Sequence, residues 1–293
     1  MSSQGRSRYS TKDELRWAVL QSSLQEQMAG RAFSLFREAG IEPILIKGPA
    51  AGIYYPKDDP RNSIDLDLAV SKTDFDRALT LSRSSAAAGL AIDVHKGLRH
   101  LDTRPWDDVF GDSQMVRMGG VDVRIPKPED HLRILAVHWL NDGASDRDRL
   151  WDMFYIAHNR FAPLDWDAVF APVNPKRQRW IACTIGLAHR YLQLDISLIP
   201  SKYRVTDLPD WLTKFIEKEW ERKVVTRPLH TNLTDPAEFL GQLKARLRMN
   251  PVWATVHMEG SLDAPIRAHY RIGSAVSRIP ASALRIFAGL FKK

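Results

Sequence analysis

The sequence is poor in cysteine and has no long apolar run, and each absence excludes a class of protein. Cys183 is the single cysteine among 293 residues, which excludes an intramolecular disulfide framework and a CxxC metal site. No apolar stretch approaches the roughly 18 residues of a membrane span, and the polar start, MSSQGRSRYSTKDE, lacks the apolar core of a signal peptide. We therefore expect a cytoplasmic protein without a membrane span, in which Cys183 is a small buried apolar residue.

Several catalytic signatures are also missing. The sequence contains no GxSxG, HExxH, P-loop or GxGxxG motif in a usable context, so serine hydrolase, zinc protease and Rossmann interpretations have no support. Its composition, 44% hydrophobic and 26% charged, is ordinary for a globular protein. The length suits two adjoining domains.

Basic residues are in excess over acidic ones. Lysine and arginine total 42 against 35 acidic residues, a formal net charge of +7. This excess favours an anionic partner, which would be a nucleotide, a nucleic acid or an acidic membrane surface. The last segment, ASALRIFAGLFKK, has the pattern of a basic amphipathic helix, which most often docks against its own protein and less often contacts RNA, acidic peptides or lipid headgroups.

Apolar periodicity predicts an α+β domain over residues 11–126. Thr11 and Glu14 have the spacing of a capping box at the start of a helix that runs to Gly40. A hairpin over 114–125 is expected to turn at Gly119-Gly120. The predicted elements between are strands at 43–46, 64–70 and 90–95 and helices at 50–55 and 74–85. Together they predict a small mixed β-sheet with flanking helices.

A helical domain with a basic C-terminal segment is predicted over residues 127–293. The segment PEDHLRILAVHWL opens with proline and acids, as a helix start does. Helical periodicity then recurs in RDRLWDMFYIAHNR, over residues 175–194, and in DWLTKFIEKEWERK and PAEFLGQLKARLR.

The segment with the most chemical content is Ile64-Asp65-Leu66-Asp67-Leu68. In a strand, Asp65 and Asp67 point to one face and the apolar residues to the other. Two carboxylates about 7 Å apart on one face repel each other unless a cation lies between them. Hard divalent ions such as Mg²⁺ or Mn²⁺ suit such a pair, although the same pattern also fits a plain solvated strand face.

A third acid from a neighbouring strand would complete a two-metal site of the kind that supports in-line phosphoryl chemistry. Asp93, in Ile92-Asp93-Val94, is the first candidate. Asp122, in Val121-Asp122-Val123, has the same local pattern and is the alternative.

Basic residues before the acidic pair favour a phosphate ligand. Gly48 permits close approach of the backbone to a phosphate, and Lys47 can act on the same phosphates as a point charge. Arg61 would add a bidentate donor at the entrance.

The run LIKGPAAGIYYPKDDPRNSIDLDLAV resembles the start of an uncharacterised nucleotidyltransferase family within the DNA polymerase β-like superfamily. Members of that family have "LKG", a tyrosine-proline pair, and an arginine four residues before "DIDLLV". The matching residues here are Lys47-Gly48, Tyr55-Pro56, Arg61 and Asp65-Leu66-Asp67.

The resemblance continues, in order, over roughly residues 25–200. Asp93-Val94-His95 matches a strand that ends in an acid, a hydrophobic residue and a histidine. VDVRIPKPED, the spacing of Arg149 and Asp152, and LDWD at 164–167 match later features. Two departures stand out: Lys47-Gly48 replaces the glycine-serine pair of better-known superfamily members, and Asp93 stands where the family often has glutamate.

The resemblance implies a nucleotidyltransferase fold and transfer of a nucleoside monophosphate from a Mg²⁺-bound nucleoside triphosphate. Asp65 and Asp67 would hold the nucleotide-bound metal, and Asp93 would join them on a second metal and help to deprotonate the acceptor. The acceptor would be a hydroxyl or phosphate of a small molecule, a peptide or protein, or an RNA. The alternatives are a degenerate regulatory protein that binds nucleotide or RNA, suggested by the missing serine, and a phosphotransferase that uses the same metal site.

Other polar residues have accessory roles in this interpretation. His95 would orient the acceptor or a phosphate, or make a structural hydrogen bond. Arg149 and Asp152 are expected to pair with each other, with nucleotide contact as the alternative. His131 and His138 lie on one helical face and are expected to be packing or surface residues, since no third metal ligand accompanies them.

Overall fold

A computed structural model describes residues 8–159, 161–205, 207–222 and 250–274. Within these ranges the chain is a mixed α+β structure with a small sheet and many helices, as predicted. The strands are β1 (Ile44–Leu45), β2 (Leu66–Val70), β3 (Ile92–Lys96), β4 (Gln114–Met118) and β5 (Val121–Ile125). The helices are α1 (Lys12–Glu38), α2 (Pro49–Gly52), α3 (Phe75–Ser82), α4 (Trp106–Gly111), α5 (Pro128–Asn141), α6 (Leu150–Ala157), α7 (Trp166–Phe170), α8 (Pro175–Leu192), α9 (Asp210–Glu221) and α10 (Pro251–His257).

The three-stranded sheet has the order β1-β2-β3. β1 is antiparallel to β2, whereas β2 is parallel to β3 with Asp67 directly opposite Asp93. Residues paired in this way point to the same face of a sheet, so the register brings these two carboxylates side by side.

Both faces of β2 are covered. Leu66, Leu68 and Val70 pack against α1 in one apolar cluster, while Ala69 packs on the opposite face with Ile134 of α5. All five residues of the strand are therefore buried. The solvated strand face considered for this segment is wrong, because α5 covers the face that carries Asp67. Ile64, expected on the apolar face, precedes the strand and is 79% exposed.

Two local predictions are confirmed. Thr11 caps α1 through reciprocal 3.1 Å hydrogen bonds, one from the Glu14 amide to Thr11 Oγ1 and one from the Thr11 amide to the Glu14 carboxylate. The β4–β5 hairpin turns at Gly119 and Gly120, whose φ angles of 54° and 80° are those that a type I′ turn requires.

The predicted change to helices after residue 126 is confirmed over the described residues. Helices α5, α6 and α8 pack around a core that includes Trp139, Met153 and Trp180. Cys183 lies in this core, as expected, and burial raises the pKa of its thiol to about 12. Sequence periodicity missed α4, which is only six residues long.

Helix α5 connects the two halves of the structure. Ile134 contacts the sheet, while Trp139 belongs to the helical core. The predicted boundary at 126/127 thus falls at a helix that serves both cores. The predicted helices in PAEFLGQLKARLR and ASALRIFAGLFKK lie outside the described residues. Among the described helices, none is both long and apolar enough to cross a membrane.

Candidate active site

One cavity of about 440 Å³ lies between the sheet and helices α5 and α6. Six residues singled out from the sequence as metal or nucleotide ligands line it: Asp65, Asp67, Asp93, Lys47, Gly48 and Arg61. Arg149 and Asp152 line it as well. Segments far apart in the sequence thus contribute to one pocket.

Asp67 is the best-fixed carboxylate of the cavity. It is 3% exposed, and its Oδ1 lies 2.5 Å from Lys47 Nζ and 3.0 Å from His95 Nε2. Burial opposes ionisation, but the His95 hydrogen bond and the Lys47 charge outweigh it and hold the pKa of Asp67 below its usual value. The carboxylate is therefore ionised and held in one orientation.

Asp93 and His95 complete a group of possible metal ligands with Asp67. One ligand atom from each of the three lies within 4.8 Å of the others. Asp93 is exposed, and its Oδ2 lies 3.3 Å from His95 Nε2. Asp65, which precedes β2 and is exposed, lies on the wall of the same cavity but outside this group.

The structure separates the two candidates for the third acid. Asp93 stands beside Asp67 through the strand register. Asp122 is exposed on the β4–β5 hairpin, where it pairs with Arg117 at 3.2 Å. The sheet order places the hairpin outside the β1-β2-β3 sheet, so the shared local pattern does not give Asp122 the same position.

At Gly48 the backbone has a left-handed conformation and lies too close to a neighbouring segment for a residue with a side chain to fit easily. Its φ of 60° lies in the left-handed region, and an added Cβ would lie 3.0 Å from the Asp65 carbonyl oxygen. The backbone that follows β1 therefore packs directly against the backbone that carries Asp65.

Arg61 was predicted to lie at the entrance of the phosphate site, and this prediction is wrong. It is buried and donates to both carboxylate oxygens of Asp152, at 2.7 and 3.0 Å. Tyr55 Oη donates to the same carboxylate at 2.6 Å. Burial opposes ionisation of Asp152, but the Arg61 charge keeps its pKa below the usual value.

The predicted pair of Arg149 with Asp152 is wrong. Arg149 instead contacts Asp146 at 3.3 Å and donates to the Asn62 carbonyl at 2.9 Å. The physical reason is burial: Asp152 points into the protein, where the guanidinium of Arg61 reaches it, whereas Arg149 stays near the surface.

His138 is one of the site residues that sequence analysis missed, together with Asp142 and Asp146. Its Nε2 lies 3.0 Å from Lys47 Nζ. Burial, reinforced by the Lys47 charge, lowers the pKa of His138 to about 3, so the neutral ring accepts a hydrogen bond from the ammonium. The sequence did carry a signal for this position. His138 lies seven residues after His131, and this spacing directs both imidazole rings from one face of α5 toward the sheet.

His131 lies deeper on the same helix face. Its Nε2 donates to the Ile46 carbonyl at 3.1 Å, and its Nδ1 lies 3.4 Å from Tyr54 Oη. Burial lowers the pKa of His131 to about 4. The expected packing role of His131 is confirmed. His138 is not only a packing residue, because its ring contacts Lys47 in the cavity.

We expect the free energy of unfolding to fall as the pH is lowered from 6.5 to 4. The pKa of His131 is about 4 in the folded chain, whereas an unfolded histidine has a pKa near 6.5. Between these values the unfolded state binds more protons, so acid favours unfolding by about 3 kcal/mol for this residue. Denaturant titrations across this pH range measure the effect.

Two variants identify the source of that pH dependence. His131→Gln keeps a donor for the Ile46 carbonyl but cannot titrate, so it should make the profile less steep. The slope that remains comes in part from His138, because burial lowers the pKa of that histidine to about 3. Tyr54→Phe removes a neighbour and leaves His131 titratable, so the profile should persist. An equally steep profile in His131→Gln would show that His131 is not buried in its neutral form.

Comparison of the chain with protein-family models, curated proteins and solved structures finds no match. The resemblance to nucleotidyltransferases therefore remains a prediction from the motifs. The geometry of the cavity stands independently of that resemblance.

Proposed function

We propose that the chain is a nucleotidyltransferase, with Mg²⁺ or Mn²⁺ as its ion, that transfers a nucleoside monophosphate from a nucleoside triphosphate to an acceptor hydroxyl or phosphate. The supporting observation is the side-by-side placement of Asp67 and Asp93, with Asp65 on the wall of the same cavity. Carboxylate and phosphate oxygens are the ligands that Mg²⁺ prefers. The predicted catalytic domain over residues 11–126 supplies all three acids.

The charge of the cavity supports a cation. Three basic side chains and six carboxylates line it; the carboxylates are Asp65, Asp67, Asp93, Asp142, Asp146 and Asp152. An anionic triphosphate alone would be repelled by this excess of negative charge, whereas a triphosphate with divalent ions would not. Mn²⁺ takes the same carboxylate and phosphate oxygens as Mg²⁺, which is why both ions are included.

Asp65, Asp67 and Asp93 would hold the ions. When bound, divalent ions neutralise phosphate charge and stabilise the attacking and leaving oxygens. Lys47 and His95 fix the orientation of Asp67 from two sides. This arrangement lets the buried carboxylate keep its charge without rearranging during the reaction.

In this reaction Asp93 would accept the acceptor's proton. Its exposed carboxylate faces the cavity, and His95 Nε2 lies 3.3 Å from Oδ2. The acceptor oxygen bonds to the α-phosphorus as its proton passes to Asp93, and the bond from the α-phosphorus to the bridging oxygen breaks. Pyrophosphate leaves with that electron pair.

The Lys47–Asp67 ion pair favours a second candidate, a nucleotide- or RNA-binding regulatory protein without turnover. An ammonium 2.5 Å from Asp67 Oδ1 can replace the charge of a metal ion at that oxygen. The absent serine of the phosphate loop points the same way. The two functions differ in whether nucleotide binding needs a divalent ion.

We expect the purified protein to bind nucleoside triphosphates only with Mg²⁺ or Mn²⁺. Calorimetric titration with each triphosphate, with the ion and with a chelator, measures this dependence. The Asp65→Asn/Asp67→Asn variant should lose binding, while Asp122→Asn, a carboxylate loss on the hairpin, should retain it. Absence of binding, or undiminished binding in the double variant, would refute the nucleotidyltransferase.

Lys47→Met separates the two candidates. If Lys47 contacts phosphates during catalysis, its loss weakens ion-dependent binding; if it replaces a metal, its loss creates or strengthens a requirement for the ion. The mass of any modified acceptor distinguishes a nucleotidyl group from the single phosphate that a phosphotransferase would leave.

A further inference from the structure

A second cavity, of about 330 Å³, adjoins the candidate active site. The link is His95, which lines this cavity while its Nε2 contacts Asp67 and Asp93. The other polar and aromatic walls come from Arg99, His100, Asn141, Trp253 and His257. Within the part of the chain that the structure describes, no acidic residue lines it, in contrast to the acidic first cavity.

Arg99 gives the second cavity its positive charge. The residue is exposed, and its guanidinium lies 5.7 Å from the centre of the Phe75 ring. Among residues 8–159, 161–205, 207–222 and 250–274, no carboxylate forms an ion pair with it. Its φ of 45° is unusual for a residue with a side chain, and such strain persists where the surroundings fix the backbone.

His100 adds a second donor at the same end. Its backbone is fixed, because Arg177 Nη1 donates to the His100 carbonyl at 2.9 Å. Neither this contact nor any other described hydrogen bond engages the imidazole of His100. The guanidinium of Arg99 and the imidazole of His100 lie on one short loop after β3. Their N–H groups can donate hydrogen bonds to several oxygens of one phosphate monoester.

Trp253 forms the aromatic wall of the second cavity. It packs edge-to-face on His257, with ring centres 4.7 Å apart. Asn250 fixes the start of the short helix α10: its Oδ1 accepts from the Trp253 amide at 3.0 Å, and its Nδ2 donates to the Gly143 carbonyl at 2.9 Å. The indole is thereby held near Asn141, at the end of α5.

From this arrangement we infer that the second cavity binds the acceptor, and that the acceptor is a small molecule with a planar ring and a phosphate monoester. The ring would lie on Trp253 and the phosphate at Arg99 and His100. Its reacting group would then pass His95 to reach Asp93. The volume suits a small molecule. The acceptor role rests on the proposed function, whereas binding of such a molecule does not.

The test uses 1-naphthyl phosphate as the probe, because it has the ring and the phosphate but is not a nucleotide. Two partial probes, 1-naphthol and inorganic phosphate, each carry one half of the recognition. We expect calorimetry to show binding of 1-naphthyl phosphate at least about tenfold tighter than binding of either partial probe. Equal affinity for the three compounds would overturn the inference.

Matched variants locate the probe. Arg99→Gln should remove the preference over 1-naphthol, and Trp253→Leu should weaken binding about tenfold. Arg16→Gln and Trp17→Leu change exposed residues on α1 and should leave binding unchanged. Because Arg99 is exposed, its replacement should not disturb folding, and circular dichroism checks this for both cavity variants.

Titration with Mg²⁺ and ATP separates failure of this inference from failure of the proposed function. If 1-naphthyl phosphate does not bind and Mg²⁺-dependent ATP binding is normal, the acceptor cavity is wrong and the nucleotidyltransferase stands. If the probe binds at Arg99 and no triphosphate binds, the cavity stands as a ligand site and its acceptor role is refuted.

Loss of ATP binding in Arg99→Gln or Trp253→Leu would instead assign the cavity to the nucleotide. Saturable binding of RNA in place of the probe, lost in the same variants, would refute a small-molecule acceptor.

Discussion

Asp93→Asn is expected to lower the rate of nucleotidyl transfer about a thousandfold. In the proposed reaction Asp93 both ligates an ion and accepts the acceptor's proton, and loss of a positioned base alone costs about 10²- to 10⁴-fold. Asparagine keeps the size of the side chain but cannot take the proton. Pyrophosphate release, measured with Mg²⁺, a triphosphate and a small-molecule extract as the source of acceptor, gives the rate.

Asp122→Asn is the matched control for this experiment. Like Asp93, Asp122 lies between two β-branched apolar residues and is an exposed strand residue. It pairs with Arg117 on the hairpin, so its replacement should leave the rate unchanged. A similar loss in both variants, or full activity in Asp93→Asn, would contradict the assignment of Asp93.

Arg61→Ala is expected to destabilise the folded protein by about 3–5 kcal/mol, because it leaves the charge of Asp152 buried without its partner. The ion pair is almost inaccessible, with side-chain exposures of 5% and 3%. It also ties the loop before β2 to α6. Chemical denaturation measures the loss, and Arg16→Ala, which removes an exposed ion pair with Asp13, should leave the stability unchanged.

A double replacement tests the origin of this effect. Arg61→Met/Asp152→Leu removes both charges, so it should cost less than the sum of the two single replacements. The same variants test the nucleotide-binding role predicted for Arg61. Native stability of Arg61→Ala together with weak triphosphate binding would make Arg61 a nucleotide ligand and not a structural residue.

Local features of the fold followed from the sequence alone. The capping box at Thr11 and the turn at Gly119-Gly120 depend on residues within a few positions of one another, so short-range hydrogen bonds and backbone sterics decide them. The helical character after Pro128 followed from periodicity for the same reason. The sequence also placed Asp67 in a strand, whereas Asp65, predicted on the same strand face, precedes β2 and is exposed.

Only the tertiary structure decided which side chains meet. The register of β2 against β3 selected Asp93 over Asp122, although the two have the same local pattern. Packing of α5 over the sheet buried Asp67 and brought His138 to Lys47, 91 positions earlier. Contacts of this kind depend on how whole helices and strands pack against each other. The residues next to a side chain in the sequence do not determine which distant residue it contacts.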